Sequence, residues 1–261
     1  MDREAIERHG DELYAALRSC EVVAPLTGRV SDITVEDAYH VSLRMLERRL
    51  ADGEKVIGKK IGVTSKPVQR MLDVHQPDFG YLTDRMRYAS GSEMPIGREL
   101  IQPRAEGEIA FILKKELRGP GVTHAEVLAA TDYVVACFEV VDSRIKDWKI
   151  RICDTVADNA SSGLFVLGEE RADPRSVDFF SCGMVVEKNG EIISTGAGGA
   201  ALGSPLTCVA WLANTLGTFG TPLLPGEVIL SGSLVPLEPV VPGDQMKVTI
   251  GGIGTASVRF V

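Results

Sequence analysis

Three glutamates, Glu106, Glu108 and Glu139, stand where the surrounding sequence is otherwise apolar. Two of them lie in RAEGEIAFIL, residues 104–113, which reads as a β-strand. Alternation places Glu106, Glu108, Ala110 and Ile112 on one face and Ile109, Phe111 and Leu113 on the other, so neither face is a solvent face. Glu139 stands alone in YVVACFEVV, residues 133–141, a buried strand by composition, on the face of Cys137 and Val141. A buried carboxylate without a partner is costly or takes up a proton. Two of them at i and i+2, roughly 7 Å apart along a strand, also repel each other. A divalent cation relieves both costs. An all-oxygen set with no histidine or thiolate favours Mg²⁺ or Mn²⁺ over Zn²⁺. The competing reading pairs each glutamate with an arginine (Arg104, Arg144 and Arg151 are available) or sets it on an edge strand. That reading serves for any one glutamate, whereas the three together favour the metal.

Other residues could act beside such a centre. In KVIGKKIGVTS, Lys60 shares its strand face with Gly58 and Gly62, which predicts open space for a ligand next to its ammonium. That ammonium could hold a carboxylate or move a proton. Lys59, on the face of Ile57 and Ile61, is expected to be a surface lysine. Asp78 lies in HQPDFGYL, a turn-like segment where an aspartate is ordinary, and His75 beside it is a rival proton shuttle. DTVADNASSG, residues 154–163, is polar and turn-rich; Asp158, Asn159 and Ser161 offer hydrogen bonds to a ligand. There is no G-x-S-x-G nucleophile elbow. GAGGAALGSP has neither a dinucleotide nor a Walker pattern, and reads as a tight loop leading into a helix.

The elements that must position these groups are mostly strands. Residues 2–19 form a helix by the spacing of Ile6, Leu13, Tyr14 and Leu17. A second helix follows Thr34, with Asp37 completing a capping box and Tyr39, Leu43, Leu46 and Leu50 at helical spacing. From Lys55 onward strands and turns dominate, with a hairpin at Asn189-Gly190 and helices starting at THAE and SPLTC. Without regular βαβ alternation this is a β-rich α+β fold. It is expected to be a single domain over 1–261, a helical part at 1–53 packed on a metal-binding core at 54–261. A net charge of −8 argues against a nucleic-acid partner. The apolar runs are too short to span a bilayer, and MDREAIERHGDELY lacks the apolar core of a secretory leader. Five scattered cysteines, Cys20, Cys137, Cys153, Cys182 and Cys208, read as reduced thiols, so a cytoplasmic protein is expected.

In order along the chain, VIGKKIGVTS, QPDFGYL, QPRAEGEIAF, FEVVDSRIKDW, DTVADNASSG and GAGGAALGSP resemble the 2-hydroxypenta-2,4-dienoate hydratases of aromatic meta-cleavage pathways, in the fumarylacetoacetate hydrolase superfamily. The resemblance covers nearly the whole chain. It implies a mixed β-roll, a divalent metal (Mg²⁺ or Mn²⁺) held by Glu106, Glu108 and Glu139, and pocket roles for Lys60, Asp78 and Ser161; Asp158 and Asn159 are expected to bind substrate through their own polar side chains. It further implies a small 2-hydroxy-dienoate substrate, a homo-oligomer and association with a pathway decarboxylase. The related 4-oxalocrotonate decarboxylases share the glutamates, the lysine and VADNAS but typically lack an aspartate at the position of Asp78, which favours the hydratase. The alternatives are that decarboxylase activity, or a non-catalytic scaffold for the decarboxylase. The histidine–glutamate pair of the superfamily's C–C bond hydrolases has no clear match.

Overall fold

The computed structural model describes residues 1–261, the side chain of Met71 excepted. Six helices are present: α1 (Arg3–Ser19), α2 (Val35–Ala51), α3 (Lys66–Met71), α4 (His124–Ala130), α5 (Ile152–Ala157) and α6 (Pro205–Thr218). Their starts are written in side chains. Asp2, Ser65 and Ser204 each accept a backbone N–H at a helix start, and Thr34–Asp37 and Thr123–Glu126 form capping boxes. The strands are β1 (Val56–Gly62), β2 (Asp78–Thr83), β3 (Arg87–Ala89), β4 (Glu93–Met94), β5 (Arg104–Leu113), β6 (Thr131–Val141), β7 (Ser162–Leu167), β8 (Gly183–Lys188), β9 (Glu191–Ala197), β10 (Val228–Leu230), β11 (Glu238–Pro239), β12 (Gln245–Ile250) and β13 (Gly254–Phe260).

They form two sheets. The larger runs β2-β1-β10-β5-β6-β7-β3, with β11 also paired to β5; the smaller runs β4-β13-β12-β8-β9. β1 and β10 pair in parallel while β10, β5, β6 and β7 alternate antiparallel, so the large sheet is mixed. The second sheet packs on the face of β5 that carries Ile109 and Phe111, where Met184 and Val248 lie against Gly107. The opposite face of β5 and β6 is therefore left to the glutamates. The architecture is the expected β-rich α+β roll with helices at its front. No helix among the described residues is long and apolar enough to cross a membrane.

Three local expectations change. DFGYLT is a strand rather than a turn: β2 pairs along its length with β1, so Asp78 opens a buried strand. Helix α2 buries Ala38, Val41, Ser42, Met45 and Arg49, while Leu43 and Leu50 are exposed. The helix is flanked by α1 and α5, and its apolar side turns toward Leu13, Leu26, Val156 and Ala157. Lys59 is buried and paired with Glu227, not a surface lysine.

Candidate active site

Antiparallel pairing of β5 with β6 brings the three glutamates together. The register sets Glu106 opposite Glu139 and Glu108 opposite Cys137, all on one face. One carboxylate oxygen from each of Glu106, Glu108 and Glu139 lies within 4.8 Å of the other two. Glu108 and Glu139 are buried and Glu106 is partly exposed. Glu108 Oε2 accepts the Gly232 N–H at 2.8 Å, but its Oε1 has no partner, and neither oxygen of Glu139 has an aligned donor. Buried polar atoms are normally satisfied. Several orphaned oxygens converging on one point, supplied by hard oxygen ligands alone, fit a divalent cation held between Glu106, Glu108 and Glu139.

The arginine alternative does not materialise. Arg144 pairs with Asp158, Arg104 lies over the Trp148 ring, and Arg151 is exposed. Among the described residues, the ion pair to this cluster comes from Lys60, whose Nζ is 3.0 Å from Glu139 Oε1. Lys60 reaches it from β1, which stands beyond β10 from β5. Burial opposes the ammonium charge, but Glu139, Asp78 and Glu106 outweigh it and hold the Lys60 pKa above its ordinary value.

Asp78 stands opposite Gly62 on the neighbouring strand. A Cβ at Gly62 would overlap Asp78 Oδ1, so the expected open space beside Lys60 is filled, in part, by this carboxylate. The space at Gly58 is taken by the β10 backbone at Val228. Asp78 is 2% exposed, and both its oxygens lack hydrogen-bond partners. Burial pushes its pKa up to about 6, with Glu139 adding to the shift and Lys60 opposing it. Desolvation and Glu139 likewise push Glu106 up to about 8 and Glu108 well above the carboxylate range. This is a pocket of carboxylates short of positive charge. His75 is exposed, outside this buried group.

Residues 158–162 lie against β2 at Gly80, the residue opposite Lys60 in the β1–β2 register. Ser161 is buried, with its hydroxyl 3.1 Å from Thr155 Oγ1. Asp158 and Asn159, expected to bind substrate, have other partners. Asp158 receives the Arg144 guanidinium, the Arg144 backbone N–H and the Ser143 hydroxyl. The Asn159 carboxamide bonds to the Tyr81 backbone through both its oxygen and its nitrogen. Both side chains are therefore hydrogen-bonded within the protein.

Two contributors, Tyr39 and Gly232, have no site role in the sequence reading, and a third, Arg144, is paired there with a glutamate rather than with Asp158. Tyr39 of α2 stacks on Phe79 with ring centroids 4.4 Å apart, which puts its phenol near Asp78. Burial and then the Asp78 charge push its pKa upward. The helical spacing had marked Tyr39 only as a core position. Gly232 supplies a backbone donor to Glu108 from a left-handed conformation (φ +91) in which a Cβ would overlap Thr64. Arg144 organises the 158–162 segment. For Gly232 the only available signal was the glycine in SGS directly after an apolar strand.

A mixed β-roll with a buried three-carboxylate cluster, a lysine and an unpaired aspartate defines the class. The chain belongs to the fumarylacetoacetate hydrolase family: the fumarylacetoacetate (FAA) hydrolase C-terminal family matches residues 53–261. Within it, the chain is 73% identical over 220 residues to 2-hydroxypent-2,4-dienoate hydratase of Pseudomonas putida, covering 84% of this chain and 99% of that one. It is 60% identical to 2-hydroxyhexa-2,4-dienoate hydratase of Comamonas testosteroni, over 99% of this chain and 98% of that one. Among solved structures, 4-oxalocrotonate decarboxylase from Pseudomonas putida G7, complexed with magnesium and adipate, superposes with a TM-score of 0.96. That likeness is at 36% identity and covers 100% of this chain and 99% of that one.

Proposed function

We propose that this protein is a metal-dependent hydratase that adds water to 2-hydroxypenta-2,4-dienoate, giving 4-hydroxy-2-oxopentanoate, in aromatic meta-cleavage catabolism. The observation that carries the reading is Asp78: a buried carboxylate with no hydrogen-bond partner, poised near pH 6, beside Lys60 and the glutamate cluster. A carboxylate with that poise is suited to take a proton from water near neutral pH. The 73% and 60% identities to named hydratases support the same reading, against 36% to the decarboxylase.

Glu106, Glu108 and Glu139 would hold Mg²⁺ or Mn²⁺, whose Lewis acidity would stabilise negative charge on the substrate's C2 oxygen. Lys60 binds the substrate carboxylate or the C2 oxygen and moves a proton. Protonation at C5 converts the dienol to a conjugated enone. Asp78 then removes a proton from the water that adds at C4, and the proton gained at C3 completes the product. Ser161 orients water or substrate. We assign these roles to one catalytic unit spanning 1–261, working as a cytoplasmic homo-oligomer that associates with the pathway decarboxylase.

The test starts from chelator-stripped protein and freshly generated 2-hydroxypenta-2,4-dienoate, with and without added Mg²⁺ or Mn²⁺. Dienol absorbance is followed and the product identified by mass. Metal-dependent gain of one water is the expected result. Loss of carbon dioxide from 2-oxo-hex-3-enedioate, with no water added to the dienoate, would instead make the protein a decarboxylase. Metal binding without turnover of either compound would leave it a scaffold.

A further inference from the structure

Strand β2 is an edge strand of the large sheet, with β1 on one side only. An edge leaves backbone N–H and C=O groups without strand partners. At Tyr81 both groups are satisfied by one side chain. The Tyr81 N–H donates to Asn159 Oδ1 at 2.8 Å, and Asn159 Nδ2 donates to the Tyr81 carbonyl at 2.9 Å. A carboxamide presents the same donor and acceptor as a peptide group, so Asn159 extends the sheet by one residue's width.

The contact is close for a second reason. A Cβ at Gly80 would come 2.5 Å from the Asn159 carbonyl oxygen and 2.7 Å from Ser162 Oγ. Gly80 therefore lets the 159–162 backbone lie against β2, at the position where β2 faces Lys60 in the register. On its other side the segment is held by Arg144, whose guanidinium donates to the Asp158 carboxylate and to the carbonyls of Asp158 and Ser162. Between these anchors, Asn159, Ala160 and Ser161 all have positive φ, 54, 53 and 52°. Left-handed backbone is unfavourable for residues with a Cβ and persists only where the surroundings impose it. Within this constrained turn Ser161 is 3% exposed, with its hydroxyl 3.1 Å from Thr155 Oγ1.

We propose that Asn159 is a positioning residue that fixes Ser161 relative to Asp78 through β2, and so controls the water-addition step. This rests on the hydratase reading and on the roles given to Asp78 and Ser161.

The test compares Asn159→Ala and Asn159→Asp with the unaltered protein, each loaded with Mg²⁺. Three readouts are taken: consumption of the dienol, formation of the hydrated product, and the shift in melting temperature on adding Mg²⁺. Displacement of a positioned group by about 1 Å can cost roughly 100-fold in rate. Asn159→Ala is expected to lower kcat for hydration by about 30-fold, with KM, dienol consumption and the Mg²⁺ shift within about threefold of the unaltered protein. Asn159→Asp keeps the acceptor for Tyr81 N–H and sets a carboxylate against the Tyr81 carbonyl; it should lose about 10-fold in the same readout. Equal loss of dienol consumption and hydration would overturn the proposal. So would a rise in KM alone, which would mark a substrate contact, or unchanged hydration. Failure of both variants to yield a folded, Mg²⁺-binding protein would also overturn it, because the joint would then serve the fold. The unaltered protein run in parallel separates this from the hydratase reading: if it adds no water, the activity assignment fails before Asn159 is judged.

Discussion

Arg144 and Asp158 are fully buried, and every nitrogen of the guanidinium donates to an oxygen nearby. A few residues earlier, Glu139 is equally buried and has only an ion pair with Lys60. One site completes its hydrogen bonds within the chain; the other holds oxygens that the chain leaves without donors. Burial is costly in both, since it pushes even Asp158 up to about 6 against the pull of Arg144. The difference lies in what balances that cost: internal partners at the first site, and a ligand from outside at the second. A completed pair makes structure, and an incomplete one makes a binding site.

The largest effect should come from breaking the completed pair. Arg144→Ala strands the Asp158 carboxylate and is expected to destabilise by roughly 3–5 kcal/mol in denaturant unfolding. A loss under about 1 kcal/mol would put Arg144 with ordinary surface charges and erase the contrast. At the incomplete site, Asp78→Asn should slow hydration by about 10²–10³-fold while substrate affinity holds. The base form of Asp78 exists above about pH 6, so kcat/KM of the unaltered protein should fall as pH drops through 6. The aspartate's own acid limb should be missing from the Asp78→Asn profile. Full turnover by Asp78→Asn would remove that residue from the base role.

A smaller effect concerns the outside ligand. Metal-free protein should gain about 2.7 kcal/mol of stability at a Mg²⁺ concentration 100 times its dissociation constant. Glu108→Gln should abolish the gain, as read by thermal melting. The smallest change has the opposite sign to Arg144→Ala. In metal-free protein at pH 8, Glu108→Gln should stabilise by about 1–2 kcal/mol, because it removes a buried carboxyl whose ionisation the fold opposes. The sign follows from the raised pKa values of the cluster. Glu106 is held at about 8 against an ordinary 4.5, and Asp78 at about 6 against 3.8. A raised folded-state value means the fold favours the protonated form. The penalty is absent below the unfolded values and grows as pH rises through about 4 to 8. Metal-free protein should therefore melt lower at pH 8 than at pH 5, and Glu108→Gln should flatten that slope. Glu106 keeps some solvent contact, so its share is the smaller one.

Much of the fold was legible in local patterns. Thr34–Asp37, Thr123–Glu126 and Ser204 announce helix starts because a cap is a contact within a few residues. Asn189-Gly190 announces a hairpin because only certain residues accept its backbone angles. The segment around Asp78 reads as a turn because Pro77 and Gly80 are turn-formers; it is a strand, and Gly80 is needed for close packing of the 159–162 segment. The exposed side of α2 was misplaced because Leu43 and Leu50 fit helical spacing, and spacing alone cannot show on which side α1 and α5 lie.

By itself the sequence determined that three carboxylates sit in apolar strands, two of them on one face, since strand alternation is a local property. It also determined that they need a counter-charge, since desolvation depends on residue type and burial. Only the tertiary structure decided that this counter-charge does not come from arginine. It set Glu139 opposite Glu106, brought Lys60 in from two strands away, and put Asp78 into the space beside Gly62. It also tied Asp158 and Asn159 to Arg144 and to the Tyr81 backbone. Pairing register and the approach of distant backbone belong to no single segment, because they are fixed only when the sheets close and every buried donor must find an acceptor.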